Sequence, residues 1–528
     1  MDLTNQKLYD KAPEVLSRFA QDFFDYSENF ESEKQHESSN DKNENDEIRS
    51  NENNKNHKLM LQKVEFLFEI SQSKEETDLA VKAAIKWAKS AIECRKKKDR
   101  EKASFEIGNI LNHLAITASI HNLPSECSSK IDFPLNLPSL TTSPPLTCLP
   151  KRIRVKVAGR IDIAGGWTDT PPITYELEDP HVLNAAIKVD GEKPIKADIF
   201  PLDHLSGLWI STGEGTLRCF ETKNEIIENA QKPSESCSLI CAVIVASGIL
   251  EKFENKKWAK DDAIMCNKSK QLQFESNGFH FGGLFIKCHS NLPHGSGLGT
   301  SSILSGAVLA GLWTLFCKKF TNDDIIKAVL KVEQYHTTGG GWQDQVGGII
   351  AGIKLGSLLH HSVTYRILPI SKTFEESLNK RLFLIYTGKT RLAKNLLQTV
   401  LLNWIQRDLD IVLAFRTLAS EAEKAAKQIA AGSFPSEIVE NYHEIKKKLA
   451  IGSEPAFVGD LIKDLKDAGI VEAAWIAGAG GGGFLYVYLK ENISQQNLEN
   501  HIRKCSEYSL LKVSSVEIDN DPLQIEIQ

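Results

Sequence analysis

Residues 291–306 read NLPHGSGLGTSSILSG, with three glycines inside five positions (Gly295, Gly297, Gly299) and hydroxyl side chains directly behind them at Thr300, Ser301 and Ser302. Ordering glycine surrenders more backbone freedom than ordering any other residue, so a cluster marks a place where something approaches the main chain closely. GLFIKCHSNLP before the loop reads as a strand ending near Lys287, and SSILSGAVLAGLWTLF after it reads as a helix starting near Ser301. Strand, bare loop and helix start in that order gather unpaired backbone N–H groups and the positive end of a helix dipole at one point. That arrangement favours an anion, and phosphate is the leading candidate.

Two common phosphate loops are excluded by spacing. GxxxxGK[ST] needs a lysine after its last glycine, and Thr300 follows Gly299. GxGxxG needs a third glycine three positions after Gly297, and position 300 is threonine.

The rest of the 528-residue chain sets the frame. Length allows two or three domains with a large buried core, and 41% hydrophobic with 25% charged residues is ordinary for a globular enzyme. A net charge of -6 gives no electrostatic reason to expect nucleic acid, and no run is long and apolar enough for a membrane span or signal peptide, so a cytoplasmic protein is expected. Ten scattered cysteines without a CxxC pair read as reduced thiols. Residues 1–58 are acidic and Asn-rich and are expected to be mostly disordered, 59–121 return to helical spacing, and 122–150, with LPSLTTSPPLTCLP, form a linker. From Lys151 onward strands and helices alternate, which predicts α/β or α+β, with RIRVKVAGRIDIA as one strand and 254–277 as a polar surface insertion.

Two acids stand out. In FTNDDIIKAVLKVEQYH, Thr321 and Asp324 form a capping box, and the apolar stripe Ile325, Ile326, Val329 and Leu330 continues onto Glu333. A carboxylate on a buried face needs a cation, a metal or strong hydrogen bonds, whereas one at the helix end can reach solvent; both readings stay open. Asp344 lies in TTGGGWQDQVGG, read as a tight loop around a ligand, with an Asp closing its own turn as the alternative.

PHGSGLGTSS (293–302) resembles the phosphate loop of the GHMP small-molecule kinases, the family of galactokinase, homoserine kinase and mevalonate kinase, usually written PxxxGLGSSA. The resemblance implies that Pro293, Gly295, Ser296, Gly297, Leu298, Gly299, Thr300, Ser301 and Ser302 bind the phosphates of ATP. It also implies that Ser301, by register, meets Mg2+ together with Glu333. TGGGWQDQVGG resembles the family's GGxxDQ element, which makes Asp344 the base of a phosphoryl transfer, with Gly340 and Gly341 at the substrate. Arg160 in AGRIDIAGGWTDT is its expected counter-cation, since a neighbouring arginine favours an ionised carboxylate and can stabilise the transferring group.

AGRIDIAGGWTDTPPITYE (158–176) stands where galactokinases carry GRxNxxGEHTDY, with Gly166 and Trp167 in place of Glu and His and with Asp169 retained. By that resemblance Asp169 holds sugar hydroxyls, while Trp167 offers a flat face to a sugar or serves the core. With YTGKTRLAKNLL (386–397) and IAGAGGGGF (476–484), these motifs together resemble the kinase region of the L-fucokinases from about Arg152 to the C-terminus. Implied are an ATP- and Mg2+-dependent conversion of L-fucose to L-fucose 1-phosphate, on the salvage route to GDP-fucose, and a small-molecule sugar as partner, with no nucleic acid or membrane and the oligomeric state left open. Another sugar or heptose phosphate, or a silent sugar and ATP sensor, are the alternatives. Lys389 and Arg391 either reach phosphate oxygens or are solvated at a helix start. The implied fold is α+β and two-lobed: a ribosomal S5 domain 2-like lobe over 151–365 carries the phosphate loop, and a ferredoxin-like lobe spans 366–528. Animal fucokinases are longer, so a shortened form or a partial gene product is expected. No Gly-rich, Lys-bearing nucleotidyl loop precedes Lys151, and no nucleotidyltransferase activity is expected.

Overall fold

A computed structural model describes residues 148–528 except 172, 178, 214–215, 231, 233, 251–252, 256–271, 277–278, 294, 337–339, 360–361, 389–395, 398–399, 402 and 405–408. The expectations for 1–58, for 59–121, for most of the linker, and for Lys389 and Arg391 fall outside the described residues. Contacts gather described residues 170–177 and 398–416 into one compact unit and 148–169, 179–397 and 417–528 into another. In the first, Trp404 packs edge-on against Phe415 with ring centroids 5.1 Å apart.

The second unit is built on two large sheets. One has six strands in the order β17-β1-β4-β10-β5-β6: β1 (Ile153–Val157), β4 (Ile195–Leu202), β5 (Gly207–Ser211), β6 (Leu217–Phe220), β10 (Gly283–Ser290) and β17 (Leu523–Ile527). The other has eight, ordered β12-β11-β3-β16-β13-β15-β14 with β2 paired to β3. Its strands are β2 (Gly159–Ala164), β3 (His181–Val189), β11 (Ile353–Leu359), β12 (Ser362–Ile367), β13 (Leu382–Tyr386), β14 (Val471–Ile476), β15 (Phe484–Leu489) and β16 (Lys512–Ile518). A small third sheet joins β7 (Phe253–Asn255), β8 (Leu272–Ser276) and β9 (Phe279–Phe281). The 254–277 segment expected as a loop insertion therefore carries β-structure at both ends, with β7 antiparallel to β8.

RIRVKVAGRIDIA is two strands in different sheets, not one. β1 alternates buried and half-buried residues, as a strand with one covered face does, whereas β2 is buried along its whole length. At the switch between them, Ala158 N–H donates to the Pro522 carbonyl at 2.9 Å. The change of sheet carries Arg160 and Asp162 into the interior.

Helices α1 (Ser238–Ala246), α2 (Thr300–Leu315), α3 (Asn322–Tyr335) and α4 (Gln343–Ile349) pack together, and α2 lies across β1 and β4. Gly311 of α2 permits that approach, since a Cβ there would stand 2.5 Å from Ile199 Cδ1. On the eight-stranded sheet, α6 (Ala456–Asp467) and α7 (Gln495–Lys504) close a core of Val458, Leu461, Leu465, Val487 and Leu498; α5 (Ser436–Leu449) packs against β14. The boundary expected at 365/366 is not a boundary between sheets: β17 pairs with β1, and β16 with β3, because the chain returns to both sheets at its C-terminal end.

Candidate active site

β10 delivers the chain to the glycine loop, and α2 leaves it at Thr300. Gly295, Gly297 and Gly299 all take left-handed φ, at 68°, 77° and 73°, which an L side chain adopts only with strain. Gly299 is the N-cap of α2 and offers no side-chain acceptor, so the first-turn amides are left without that cap. Ser296 Oγ lies 3.0 Å from Thr300 Oγ1 and accepts from Leu298 N–H at 3.3 Å. Gly295 and Ser301 are exposed, Pro293, Gly297 and Thr300 half-buried, and Ser296, Leu298, Gly299 and Ser302 buried.

A second glycine-rich segment, 478–483 between β14 and β15, rests directly on this loop. Phe484 N–H donates to the Ser296 carbonyl at 3.0 Å, and a Cβ on Gly483 would stand 2.6 Å from that same oxygen. A Cβ on Gly297 would likewise fall 2.8 Å from the Ala477 carbonyl. Glycine is required here because backbone meets backbone.

Arg160 joins the motifs. Its Nε donates to Asp344 Oδ1 at 2.7 Å, and Nη2 lies 2.6 Å from that oxygen. Nη1 donates to Asp162 Oδ1 at 2.7 Å and to the Gly297 carbonyl at 2.9 Å. Burial opposes the guanidinium charge, but the Asp344 and Asp162 carboxylates outweigh it and hold the group well above its ordinary value. Asp344 is in the first turn of α4 rather than in a loop; the glycines lie before it and Gly347 lies against Arg160, where a Cβ would come within 2.8 Å of the arginine Cβ. Its side chain is 26% exposed, against 3% for Arg160, so the carboxylate is the open side of the pair.

Glu333 is 5% exposed on the buried stripe of α3, as the helical spacing implied, and the Thr321–Asp324 capping box is present at the start. The serine that bonds it is Ser302, whose Oγ donates to Glu333 Oε1 at 2.6 Å; Ser301, expected by register as the other Mg2+ ligand, is exposed one residue earlier. The helix turns consecutive side chains by about 100°, so adjacent serines face differently. Burial first, with the nearby Asp344 charge, pushes the Glu333 carboxyl up to about 7 against the Ser302 hydrogen bond.

Asp169 is 1% exposed and similarly displaced to about 7, by burial first, then by Asp344, against the hydrogen bond that Oδ2 accepts from Gln343 N–H at 3.0 Å. Its Oδ1 is buried and has no hydrogen-bond partner among the described residues. A Cβ on Gly341 would stand 2.1 Å from Asp169 Oδ2, and one on Gly340 3.1 Å from Glu333 Oε2, so the two glycines fit against the two acids. Gly166 is held 2.2 Å, measured from a Cβ built there, from the Tyr442 hydroxyl. Trp167 is 3% exposed and adopts φ 75°, a strained conformation for a bulky residue.

Sequence reading missed the floor of the site. Asp162 accepts from Tyr442 Oη at 2.7 Å, Gly478 N–H at 3.1 Å and Tyr486 Oη at 3.2 Å, and Lys446 Nζ lies 3.6 Å away. Burial raises the Asp162 carboxyl, yet Lys446, Arg160 and these hydrogen bonds leave it below its ordinary value. An aspartate inside the apolar run RIDIA was the available signal; Lys446 opens a KKK run that reads as a solvated helix end.

Among the described residues no cluster of three or more His, Cys, Asp or Glu is placed to hold a metal ion. Mg2+ does not need one, since it takes one or two protein oxygens with phosphates and waters. A buried carboxylate raised to about 7 beside an exposed serine and a bare helix start suits that donor set. Next to the loop, a cavity of about 630 Å³ is lined by Val189, Asn291, Pro293, Tyr386 and Phe484 among others.

Residues 264–352 match the family of GHMP kinases, N terminal domain. The chain is 29% identical over 367 residues to the bifunctional fucokinase/GDP-fucose pyrophosphorylase of Arabidopsis thaliana, covering 68% of this chain and 32% of that protein. It is 30% identical over 338 residues to the L-fucokinase/L-fucose-1-P guanylyltransferase of Bacteroides fragilis, covering 63% and 34%. The chain thus matches about a third of the length of these relatives. The structure of Lactococcus lactis galactokinase complexed with galactose superposes with a TM-score of 0.50 at 14% identity, covering 71% of this chain and 95% of that one. At that identity the superposition speaks for the two-lobed α+β fold alone.

Proposed function

Because residues 264–352 match the N-terminal domain of the GHMP kinases and the chain is similar to two fucokinase-bearing proteins, we propose that it is an ATP-dependent sugar 1-kinase, converting L-fucose and ATP to L-fucose 1-phosphate and ADP on a salvage route to GDP-fucose. The observation that carries this reading is the double engagement of Arg160, whose Nη1 donates to the Gly297 carbonyl of the glycine loop while Nε donates to Asp344. One guanidinium therefore spans the phosphate loop and the carboxylate.

In this proposal the amides of 295–301 hold the ATP phosphates and the base of ATP enters the cavity beginning at Pro293. Asp344 accepts the proton of the sugar's anomeric hydroxyl as its oxygen bonds to the γ-phosphorus and the bond to ADP breaks. Arg160 faces the charge spread over the moving group. Asp169, with Oδ1 buried and unpartnered among the described residues, accepts a sugar hydroxyl. Glu333, held by Ser302, and Ser301 are the metal ligands. Mg2+ there would neutralise phosphate charge.

The test is ADP release from Mg-ATP by the purified chain over a panel of sugars. L-fucose-dependent turnover with L-fucose 1-phosphate as product supports the proposal. Turnover only on another sugar or a heptose phosphate overturns the acceptor, and binding of ATP and fucose without turnover overturns the kinase reading in favour of a sensor.

A further inference from the structure

Lys446 is far from the motifs in sequence and 1% exposed in the interior, where its Nζ donates to the Gly478 carbonyl and, at 3.3 Å, to the Ile476 carbonyl. The same Nζ lies 3.6 Å from Asp162 Oδ2, 4.8 Å from the centroid of the Tyr442 ring and 5.5 Å from that of Trp167. A buried ammonium has few ways to be satisfied, and this one engages three oxygens and two aromatic faces. Burial still pulls it below the ordinary lysine range, against the Asp162 carboxylate.

Its position explains how Arg160 is aimed. Asp162 takes one edge of the guanidinium through Nη1, leaving Nε and Nη2 for Asp344. Held by Lys446 and by Gly478 N–H, the Asp162 carboxylate fixes that edge of the fork; without the ammonium it loses the anchor that sets its direction. Lys446 provides the second positive charge, so the four groups Asp162, Lys446, Arg160 and Asp344 balance in sign. The lysine also ties Asp162 to the start of the 478–483 loop, where Gly478 N–H donates to Asp162 Oδ1. That loop in turn rests on the phosphate loop.

We propose that Lys446 is a positioning residue: acting through Asp162 and the Ile476 and Gly478 carbonyls, it locks the Arg160 guanidinium onto Asp344 and joins the 478–483 loop to that pair. The consequence for catalysis rests on the kinase reading above; the consequence for Arg160 does not.

The experiment compares the wild-type chain with Lys446→Met, which keeps the apolar stem, and with Lys446→Met/Asp162→Asn, which removes both charges. Two readouts are taken, the kcat and KM of sugar-dependent ADP release, and hydrogen-exchange protection of the Arg160 Nε–H by NMR, assigned with Arg160→Lys. Lys446→Met is expected to lose the Arg160 protection and to lower kcat about 100-fold, the scale of a misplacement near 1 Å, with the KM for ATP little changed. The double variant is expected to regain thermal stability without regaining kcat or protection. Recovery of all three in the double variant would mean that Lys446 only neutralises a buried charge, and unchanged protection in Lys446→Met overturns the proposal whether or not the chain turns over sugar. Loss of protection in a chain whose wild type shows no turnover leaves the positioning intact and refutes the kinase reading.

Discussion

Ser302 Oγ donates to Glu333 Oε1 at 2.6 Å, linking the first turn of the helix behind the glycine loop to the only acid on the buried stripe of the next helix. The pair fixes the direction of a carboxylate whose charge the interior disfavours. Ser302→Ala is therefore expected to weaken the Mg2+ dependence of turnover about 10- to 100-fold, as loss of a hydrogen bond orienting a metal ligand does. Ser301→Ala, one position earlier on an exposed face, should act on the nucleotide and metal directly without disturbing Glu333. Titration of activity with Mg2+ at fixed ATP separates the two; equal effects with no change in the Mg2+ requirement would remove Ser302 from this role.

Glu333 carries a pH signature. Its carboxyl is raised to about 7 in the fold from 4.5, so between those values the native state binds more protons than the unfolded chain. Stability then falls as pH rises through that window, by at most about 3 kcal/mol for this group. Without metal, Glu333→Gln is expected to flatten the loss of stability from pH 4.5 to 7 and to exceed wild type at pH 8. Denaturant midpoints across that range test it, and a wild type that gains stability toward pH 7 at the same rate as the variant would contradict the assignment.

Asp344→Asn is expected to lower kcat by about 10²- to 10⁴-fold, the usual contribution of a positioned base, while ATP binding persists. Equilibrium nucleotide binding alongside steady-state turnover gives both numbers. Arg160 then keeps Asp162 as a partner but faces a neutral amide in place of its exposed one.

Asp169→Asn probes a trade between stability and binding. Burial without a partner for Oδ1 disfavours the carboxylate at pH 8, so the amide should raise the unfolding temperature while raising the KM for sugar. An unchanged sugar KM would exclude Asp169 from acceptor recognition.

Gly341→Ala asks whether the glycines before α4 are spacers. The added methyl would start 2.1 Å from Asp169 Oδ2, so the carboxylate must move, and a displacement near 1 Å costs on the order of 100-fold in kcat/KM for sugar. Turnover at the wild-type level, with the crystal structure showing Asp169 in place, would show that the loop yields instead.

The amino-acid sequence alone determined the elements whose signals are local. A strand, three spaced glycines and a helix start specify the loop at 295–299, and helical spacing puts Glu333 in line with the apolar stripe of its helix, because both follow from the backbone geometry of adjacent residues; that the carboxylate is buried there and not solvated, the fold decided. It could not decide which serine meets Glu333, since that depends on how α2 is rotated against α3, nor that Asp344 starts a helix rather than sitting in a loop. Tertiary structure decided the rest. RIRVKVAGRIDIA splits between two sheets only because β17 and β3 are present to pair with its halves. Tyr442 and Tyr486 reach Asp162 from 280 and 324 residues away. Lys446 looks like one of three solvated lysines until the fold buries it beneath the 478–483 loop. Such partners carry no local pattern: their positions follow from where the chain returns in space, and only packing brings a charge in one motif to the oxygen of another.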